Sequence, residues 1–140
     1  MSSCFSAFKA ALIAALKADS GVAAIVGANV YDEVDRVSAV APWVYLGPMG
    51  YRELAIGGAA FEARLRVYCV STKFDRDGAW TLHDAVRKAL ANTVLSLSGG
   101  HVASDLRVMA GGDVTIPNAP KEVFVDLMCS LSDADAGAFA

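Results

Sequence analysis

The hydrophobic pattern is most regular over residues 61–72, FEARLRVYCVST, where apolar and polar side chains alternate. Because successive side chains of a β-strand project to opposite faces, this alternation predicts a strand with one buried face. The predicted buried residues are Phe61, Ala63, Leu65, Val67 and Cys69, and the other face carries Glu62, Arg64, Arg66 and Tyr68. The contacts of this second, polar and aromatic face are the functional question that the strand raises.

Two segments show the three-and-four spacing of apolar residues that is typical of one face of an α-helix. The first has apolar residues at positions 5, 8, 12, 13 and 16, and Ser2 or Ser3 can cap its start. A short helical piece is expected to follow and to end at Gly27. The second helix is predicted over residues 78–95, with Asp75 or Asp77 as its cap. Its predicted solvent side carries His83, Asp84, Arg87 and Lys88.

Four further strands are predicted, two short ones near residues 29–32 and 43–47 and two longer ones at residues 101–110 and 121–131. In the third of these, Val102, Leu106 and Val108 are expected to point inward. The glycine-containing segment 48–60 is predicted to be a long connection, and residues 111–120 a second loop. Long loops with apolar side chains often contact partners, so we expect such contacts here. The side chains concerned are Tyr51, Arg52, Leu54 and Ile56.

Composition bounds the class of protein. A chain of 140 residues fits one domain, which we expect over residues 1–132, followed by a flexible acidic tail at 133–140. The formal net charge of −3 argues against a surface built to grip nucleic acid, because such binding needs clustered Lys and Arg. The hydrophobic share of 55% indicates either surface buried against other chains or simply an alanine-rich composition. No membrane span or targeting segment is recognised.

The sequence carries no convincing catalytic or metal-binding motif. His83 and Asp84 are adjacent on a helix and cannot face each other as a catalytic pair, and His101 has no obvious ligand partner, so we expect both histidines to be solvated. The three cysteines are far apart, and Cys69 lies on an inward strand position, which favours a buried free thiol. Turns explain the Gly-Gly pairs better than phosphate loops do. We therefore predict a protein that is not an enzyme and needs no cofactor or metal ion.

The outward positions of the strands at residues 61, 101 and 122 form the candidate functional surface. If these strands share one sheet, acids and bases on its open face interleave with aromatic and methionine side chains, which are enriched at protein interfaces. A solvated face with cross-strand ion pairs is the alternative. The positions are Glu62, Arg64, Arg66, Tyr68, Asp105, Arg107, Met109, Glu122, Phe124, Asp126 and Met128.

The order of these segments resembles the tail-completion or tail-terminator family of tailed phages and gene transfer agents, formerly a domain of unknown function. The resemblance rests on ALKADSGVAAIVGANVYDEV, then APWVYLG, then a strand ending RLRVYCVST, then GAWTLHDAVRKAL and two closing strands. Val34 and Asp35 stand where the family has a proline soon after VYD, and YCVST replaces a more usual tryptophan and serine. The match covers nearly the whole chain.

The resemblance implies an α+β fold, a small and mostly antiparallel sheet with two main helices packed on one face, that assembles into a ring of six subunits. The implied function is a structural virion protein that caps the head-proximal end of the tail tube and joins it to the neck. Its implied partners are copies of itself, the tail tube protein and a neck or head-tail connector protein, with DNA only as cargo passing through the lumen and no membrane. Assembly would take place in the host cytoplasm.

Two other functions stay open at this stage. A neck or head-completion protein would fit the same features, since the sequence does not separate it from a tail terminator. A small ligand-binding or hydrolase domain would need a concave pocket with converging polar groups. In either structural role, the expected interface residues are Arg64, Arg66, Tyr68, Arg107 and the other outward positions, including Asp105, Phe124 and Asp126, together with those of the 48–60 segment.

Overall fold

The computed structural model describes residues 3–33, 41–54 and 59–134 of the chain. Within these ranges it contains three helices, α1 (Cys4–Ala18), α2 (Ser20–Val26) and α3 (Arg76–Leu90). The strands are β1 (Val30–Tyr31), β2 (Trp43–Glu53), β3 (Ala60–Lys73), β4 (Val94–Ser96), β5 (Val102–Asp105), β6 (Arg107–Val114) and β7 (Pro120–Ser132).

The seven strands form one sheet in the order β1-β2-β3-β7-β5-β4, and β6 pairs with β7 beside β5. Strand β1 is parallel to β2, and all other pairings are antiparallel. The long central pair is β3 with β7, whose register places Val67 opposite Val125 and Arg66 opposite Asp126. The predicted α+β class with a mostly antiparallel sheet is confirmed.

The core lies between the helices and one face of the sheet. The five predicted inward residues of β3 are all buried, from 0% exposure at Val67 to 7% at Phe61. The inward residues of β7 are buried as well, and they meet Phe8, Leu12 and Leu16 of α1 and Leu82 and Val86 of α3 in one cluster. Alternation along the strands and helical spacing in α1 and α3 thus placed the core correctly.

Side-chain caps begin the helices where the sequence predicts them. The Ser3 hydroxyl accepts a hydrogen bond from the Ser6 N–H at 3.0 Å at the start of α1. Asp75 accepts one from the Gly78 N–H at 2.9 Å at the start of α3. Gly27 ends α2 with a positive φ of 62°, a conformation that glycine adopts without steric cost.

The predicted connection over residues 48–60 is wrong in its first half. Residues 49–53 continue β2 and pair with β3, from Met49 opposite Leu65 to Glu53 opposite Phe61. A shift of register between Leu46 and Met49 accommodates Gly47 and Pro48, the residues whose turn-forming character indicated a loop. Ile56, one of the expected contact residues, lies outside the described residues.

Three other boundaries differ from the sequence prediction. Helix α3 ends at Leu90, and residues 94–96, expected to be helical, form β4. The strand predicted over residues 101–110 is two strands interrupted at Leu106, so Val102 is 62% exposed instead of pointing inward. The Gly111–Gly112 pair, expected to lie in a turn, belongs to β6.

Both histidines are buried, contrary to the prediction of solvated side chains. His83 lies between the Trp80 ring, whose centroid is 4.8 Å away, and β6. A Cβ atom on Gly111 would come within 2.8 Å of His83 Nε2, so the bare backbone of glycine lets β6 cover this side of α3. His101 Nδ1 accepts a hydrogen bond from the Ala134 N–H at 3.0 Å.

The two residues that follow β7 are hydrogen-bonded to neighbouring segments. The Asp133 N–H donates to the Ala59 carbonyl at 2.8 Å, next to the bond between Ala134 and His101. Of the tail predicted over residues 133–140, only these first two residues lie in the described part of the chain, and both are hydrogen-bonded. None of the described helices is long and apolar enough to span a bilayer.

The cysteines Cys4, Cys69 and Cys129 are free and buried, as the strand phase predicts for Cys69. Burial raises the pKa of the Cys69 thiol from the ordinary 9.0 to about 12, because the thiolate would lose its hydration among apolar side chains. Desolvation also raises the pKa of Cys129, while hydrogen bonds with Ser104 oppose that shift. Neither thiol has the low pKa of a nucleophilic cysteine.

Cys69 should make the protein less stable at alkaline pH. Its folded-state pKa lies above that of the unfolded chain, so its stabilisation is complete below about pH 9 and is lost as pH rises toward about 12. We expect the stability advantage of the wild type over Cys69→Ala to shrink by about 2 kcal/mol between about pH 8 and about pH 10.5. Urea unfolding at the two pH values measures this. The advantage over Val67→Ala, a buried control on the same strand, should not change, and a parallel change would contradict the assignment.

Candidate functional site

The side of the sheet opposite the helices, here called the outer face, gathers most of the predicted interface residues. The strands β2, β3, β7 and β6 run side by side, and opposite residues on neighbouring strands project to the same side. Residues in register therefore form rows across the face. From one end to the other the rows are Arg52, Glu62 and Ser130; Gly50, Arg64, Met128 and Arg107; Arg66, Asp126 and Ala110; Tyr45, Tyr68, Phe124 and Gly112; Trp43, Val70, Glu122 and Val114.

One end of the outer face is aromatic and largely buried. The rings of Tyr45 and Tyr68 stack with centroids 4.8 Å apart and planes 17° from parallel. The Tyr45 hydroxyl donates to Glu122 Oε1 at 3.3 Å, and Glu122 is only 5% exposed. Trp43 is also buried on this end. Sequence analysis did not assign Trp43 and Tyr45 to the face, because their position there follows only from the pairing of β2 with β3.

Arg66 and Asp126 form the best-defined ion pair of the face. Arg66 donates from Nε to Asp126 Oδ1 at 2.8 Å and from the terminal nitrogen to Oδ2 at 3.1 Å, a two-point geometry that matches guanidinium to carboxylate. The guanidinium carbon also lies 3.9 Å from the centroid of the Phe124 ring. Bonding to Asp126 raises the pKa of Arg66 above its usual value. The guanidinium is therefore occupied by its own subunit.

Glu62 lies between two more arginines. Its carboxylate accepts from Arg52 at 3.2 Å and from Arg64 at 3.3 Å. The Glu62 side chain is 15% exposed, whereas those of Arg52 and Arg64 are 71% and 72% exposed. The arginines thus cover the acid and present their own outer edges to whatever lies against the face.

Arg107 and Asp105 complete the charged end. Both side chains are exposed, and both line a shallow depression with Glu62, Met128 and Ser130. The row that contains Arg107 also contains Arg64, with Met128 between them. The charged end therefore carries three exposed arginines within two neighbouring rows.

The middle of the outer face is concave. A groove of about 450 Å³ is lined from all four strands, by Pro48 and Gly50 of β2, Arg64 and Arg66 of β3, Asp126 of β7 and Met109 and Ala110 of β6. The small residues Gly50 and Ala110 leave this space between the longer side chains of Arg64 and Arg66. Bulges in β2, between Leu46 and Met49, and in β6, between Val108 and Ala110, lie beside the groove and increase the local twist of both strands.

Two predicted interface residues lie elsewhere. Tyr51 is in register with Ala63 on the helix side of the sheet, where its ring lies 5.0 Å from Phe5 and 5.4 Å from Phe61. It is still 61% exposed, and Leu54, which follows β2, is 47% exposed. The structure therefore separates these two residues from the outer-face set with which the sequence grouped them.

The described residues do not assemble a metal or nucleophile site. Among them, no group of three His, Cys, Asp or Glu side chains could hold a metal ion. The groove lining contains neither His nor Cys nor Ser. His83 Nδ1 lies 3.4 Å from its neighbour Asp84 Oδ1, but the ring is covered by Trp80 and β6 and does not face the groove. The one carboxylate of the groove lining, Asp126, is bonded to Arg66.

Among the described residues, the same four strands end in two open edges. Strand β1 covers β2 only at Val44 and Tyr45, and no other described strand except β3 pairs with residues 49–53. Likewise β7 is the only described strand that pairs with β6. The Leu54 N–H donates to the carbonyl of Ala60 in β3. Along an antiparallel strand, successive N–H groups point alternately toward and away from the neighbouring strand. The Tyr51 N–H, three residues before Leu54, therefore points away from β3 to the open side.

One comparison with known proteins identifies a family, and another shows a shared fold. Residues 10–131 match the family model described as "Tail completion protein gp17". A chain of a solved structure entitled "Virion of native gene transfer agent (GTA) particle" matches with a TM-score of 0.76 and 24% identity, over 92% of this chain and 96% of that chain. At this identity the likeness shows a shared fold. No curated protein sequence matches the chain.

Proposed function

Because this chain belongs to the tail completion protein gp17 family, we propose that it forms a ring that closes the head-proximal end of a phage-type tail tube and joins it to the neck. Proteins of this family are structural proteins of the virion tail. The ring, its position at the junction of tail and neck and its assembly in the host cytoplasm are the proposal. The fold shared with a chain of a gene transfer agent virion supports it.

The two open edges carry the proposal. An unpaired strand edge is a template for pairing with another chain, and proteins that stay monomeric usually block it. Strands β2, β3, β7 and β6 alternate in direction, so β6 runs opposite to β2. A second copy with the same orientation therefore presents its β2 edge antiparallel to the β6 edge of the first. Such a contact joins two different patches and can repeat around a ring.

The size of such a ring suits a tail. Six copies that contribute four strands each would close a sheet roughly 37 Å across, at about 4.8 Å per strand, and strand tilt would widen it further. That opening leaves room for double-helical DNA as passing cargo. The helices lie on the opposite side from the outer face and would form the outside of the ring.

Purified protein and tail tube protein test this role together. We expect light scattering to give the mass of a closed oligomer, alone or once tube protein is added, and negative-stain images to show rings on one end of tubes of limited length. Tubes assembled without the protein should grow longer. A protein that stays monomeric with tube protein present, and leaves tube length unchanged, would contradict the proposal.

A further inference from the structure

The concave outer face combines phosphate-binding groups with built-in competitors for them. Arg52, Arg64, Arg66 and Arg107 lie on it, and guanidinium groups bind phosphate oxygens with two parallel hydrogen bonds. Three of these arginines already bind carboxylates of their own subunit, Arg66 through Asp126 and the pair Arg52 and Arg64 through Glu62. The face thus contains the elements of a DNA-backbone site, in which three of the four guanidinium charges are paired with acids of the same subunit.

The layer order of the subunit assigns this face to the inside of the proposed ring. The helices cover the other face of the sheet, and a closed sheet roughly 37 Å across has no room inside for the helices of six copies together with DNA. The arginines and their acids would then line the lumen. This step rests on the proposed ring function, whereas the ion pairs themselves are features of the single subunit.

We infer that Glu62 and Asp126 mask a latent phosphate-binding surface, so that the lumen lets DNA pass without holding it. An exposed arginine gains affinity for DNA by neutralising phosphates and releasing their counterions. An acid that is already bonded to the arginine offsets this charge and occupies some of its donors. The four arginines are matched by four acids on or beside the face, Glu62, Asp105, Glu122 and Asp126.

The competing explanation is that these ion pairs only stabilise the fold. The exposure of the arginine side chains argues against a large contribution to stability. Ion pairs at the surface typically contribute about 0–1 kcal/mol to stability, since water screens them and the side chains lose freedom. The side chains of Arg52 and Arg64 are about seven-tenths exposed. Neutralising Glu62 should therefore leave the fold in place, which makes the masking role testable.

The test measures binding of a short mixed-sequence DNA duplex by fluorescence anisotropy. The double variant Glu62→Gln/Asp126→Asn should bind at least about tenfold more tightly than the wild type, and raising salt from about 50 mM to about 200 mM should remove the gain. Glu62→Gln alone removes the carboxylate bonded to Arg52 and Arg64, and this single variant replaces the double variant in the test if the double variant folds poorly. Circular dichroism checks the fold of each variant.

The matched control is Glu33→Gln/Asp84→Asn, which changes the formal net charge by the same amount, from −3 to −1, at two residues that belong to none of the outer-face rows. Asp84 also lies 3.7 Å from an arginine, Arg87 of α3, so this control frees a guanidinium on the helix side. Equal tightening by both pairs of substitutions would mean that net charge alone acts, and would overturn the inference. Unchanged DNA binding in folded Glu62→Gln and in the double variant would overturn it too.

Oligomeric state, measured by light scattering on the same samples, separates this inference from the proposed function. If the substitutions tighten DNA binding but no ring forms with or without tube protein, the masking stands and the proposed ring fails. If rings form on the tube and the folded variants bind DNA no better than the control, the ring stands and the masking fails.

Discussion

Phe8→Ala is expected to lower the free energy of unfolding by about 3–5 kcal/mol, one of the largest losses available to a single substitution in this chain. Phe8 is 1% exposed and is among the largest fully buried side chains of the core between α1 and the sheet. Its truncation removes apolar burial and leaves a cavity that the close-packed neighbours fill only in part. Urea unfolding followed by circular dichroism measures the loss.

Phe74→Ala provides the control of the same residue type. Phe74 follows β3, is 75% exposed and has a positive φ of 66°. Its removal should change the free energy of unfolding by no more than about 0.5 kcal/mol, as is usual for surface substitutions. A loss for Phe8→Ala no larger than that for Phe74→Ala would mean that α1 does not pack on the sheet as described.

Tyr51→Pro is expected to abolish ring formation, whereas Tyr51→Ala should retain it. The Tyr51 N–H points to the open edge of β2, so proline removes a donor that a neighbouring copy would use and leaves the bonds with β3 intact. Both variants lose the aromatic contacts of the Tyr51 side chain with Phe5 and Phe61. The difference between the two variants therefore reports only the loss of the backbone N–H donor. Light scattering with tube protein present, together with thermal unfolding, measures both effects.

The outcome of this comparison bears on the mode of assembly. A folded Tyr51→Pro protein that forms rings as well as Tyr51→Ala would show that the β2 edge is not a subunit contact. Loss of rings in both variants would instead place the contact in the Tyr51 side chain, which is 61% exposed beside Leu54. That result would favour the contacts expected from sequence for residues 48–60 over pairing of strand edges.

Prediction from sequence succeeded where the signal was local. The alternation in β3 and β7 identified the buried residues, because side-chain direction in a strand repeats every two residues. Ser3, Asp75 and Gly27 lie at helix ends, because caps satisfy backbone groups of the adjacent turn. Prediction failed at residues 49–53 and at Gly111, where turn-forming residues are held in strands by pairing with β3 and β7.

His83 was predicted to be solvated but is buried, because a strand distant in sequence covers it. The helical pattern places it outside the apolar stripe of α3, and yet β6 covers it, because glycine at position 111 lets the backbone come close. Similarly, the outward residues of β3 could be named from sequence as a group. Their partners within the subunit could not be named, since neighbouring strands can pair in several registers.

The sequence alone therefore determined the two main helices, the buried phase of the central strands and the outward residues of β3 and β7. These properties depend on periodicity within single segments. Only the tertiary structure decided which edges stay open, that the outer face is concave, and that Glu62 and Asp126 engage the arginines. Those features depend on strand order and register, which are contacts between residues far apart in the chain.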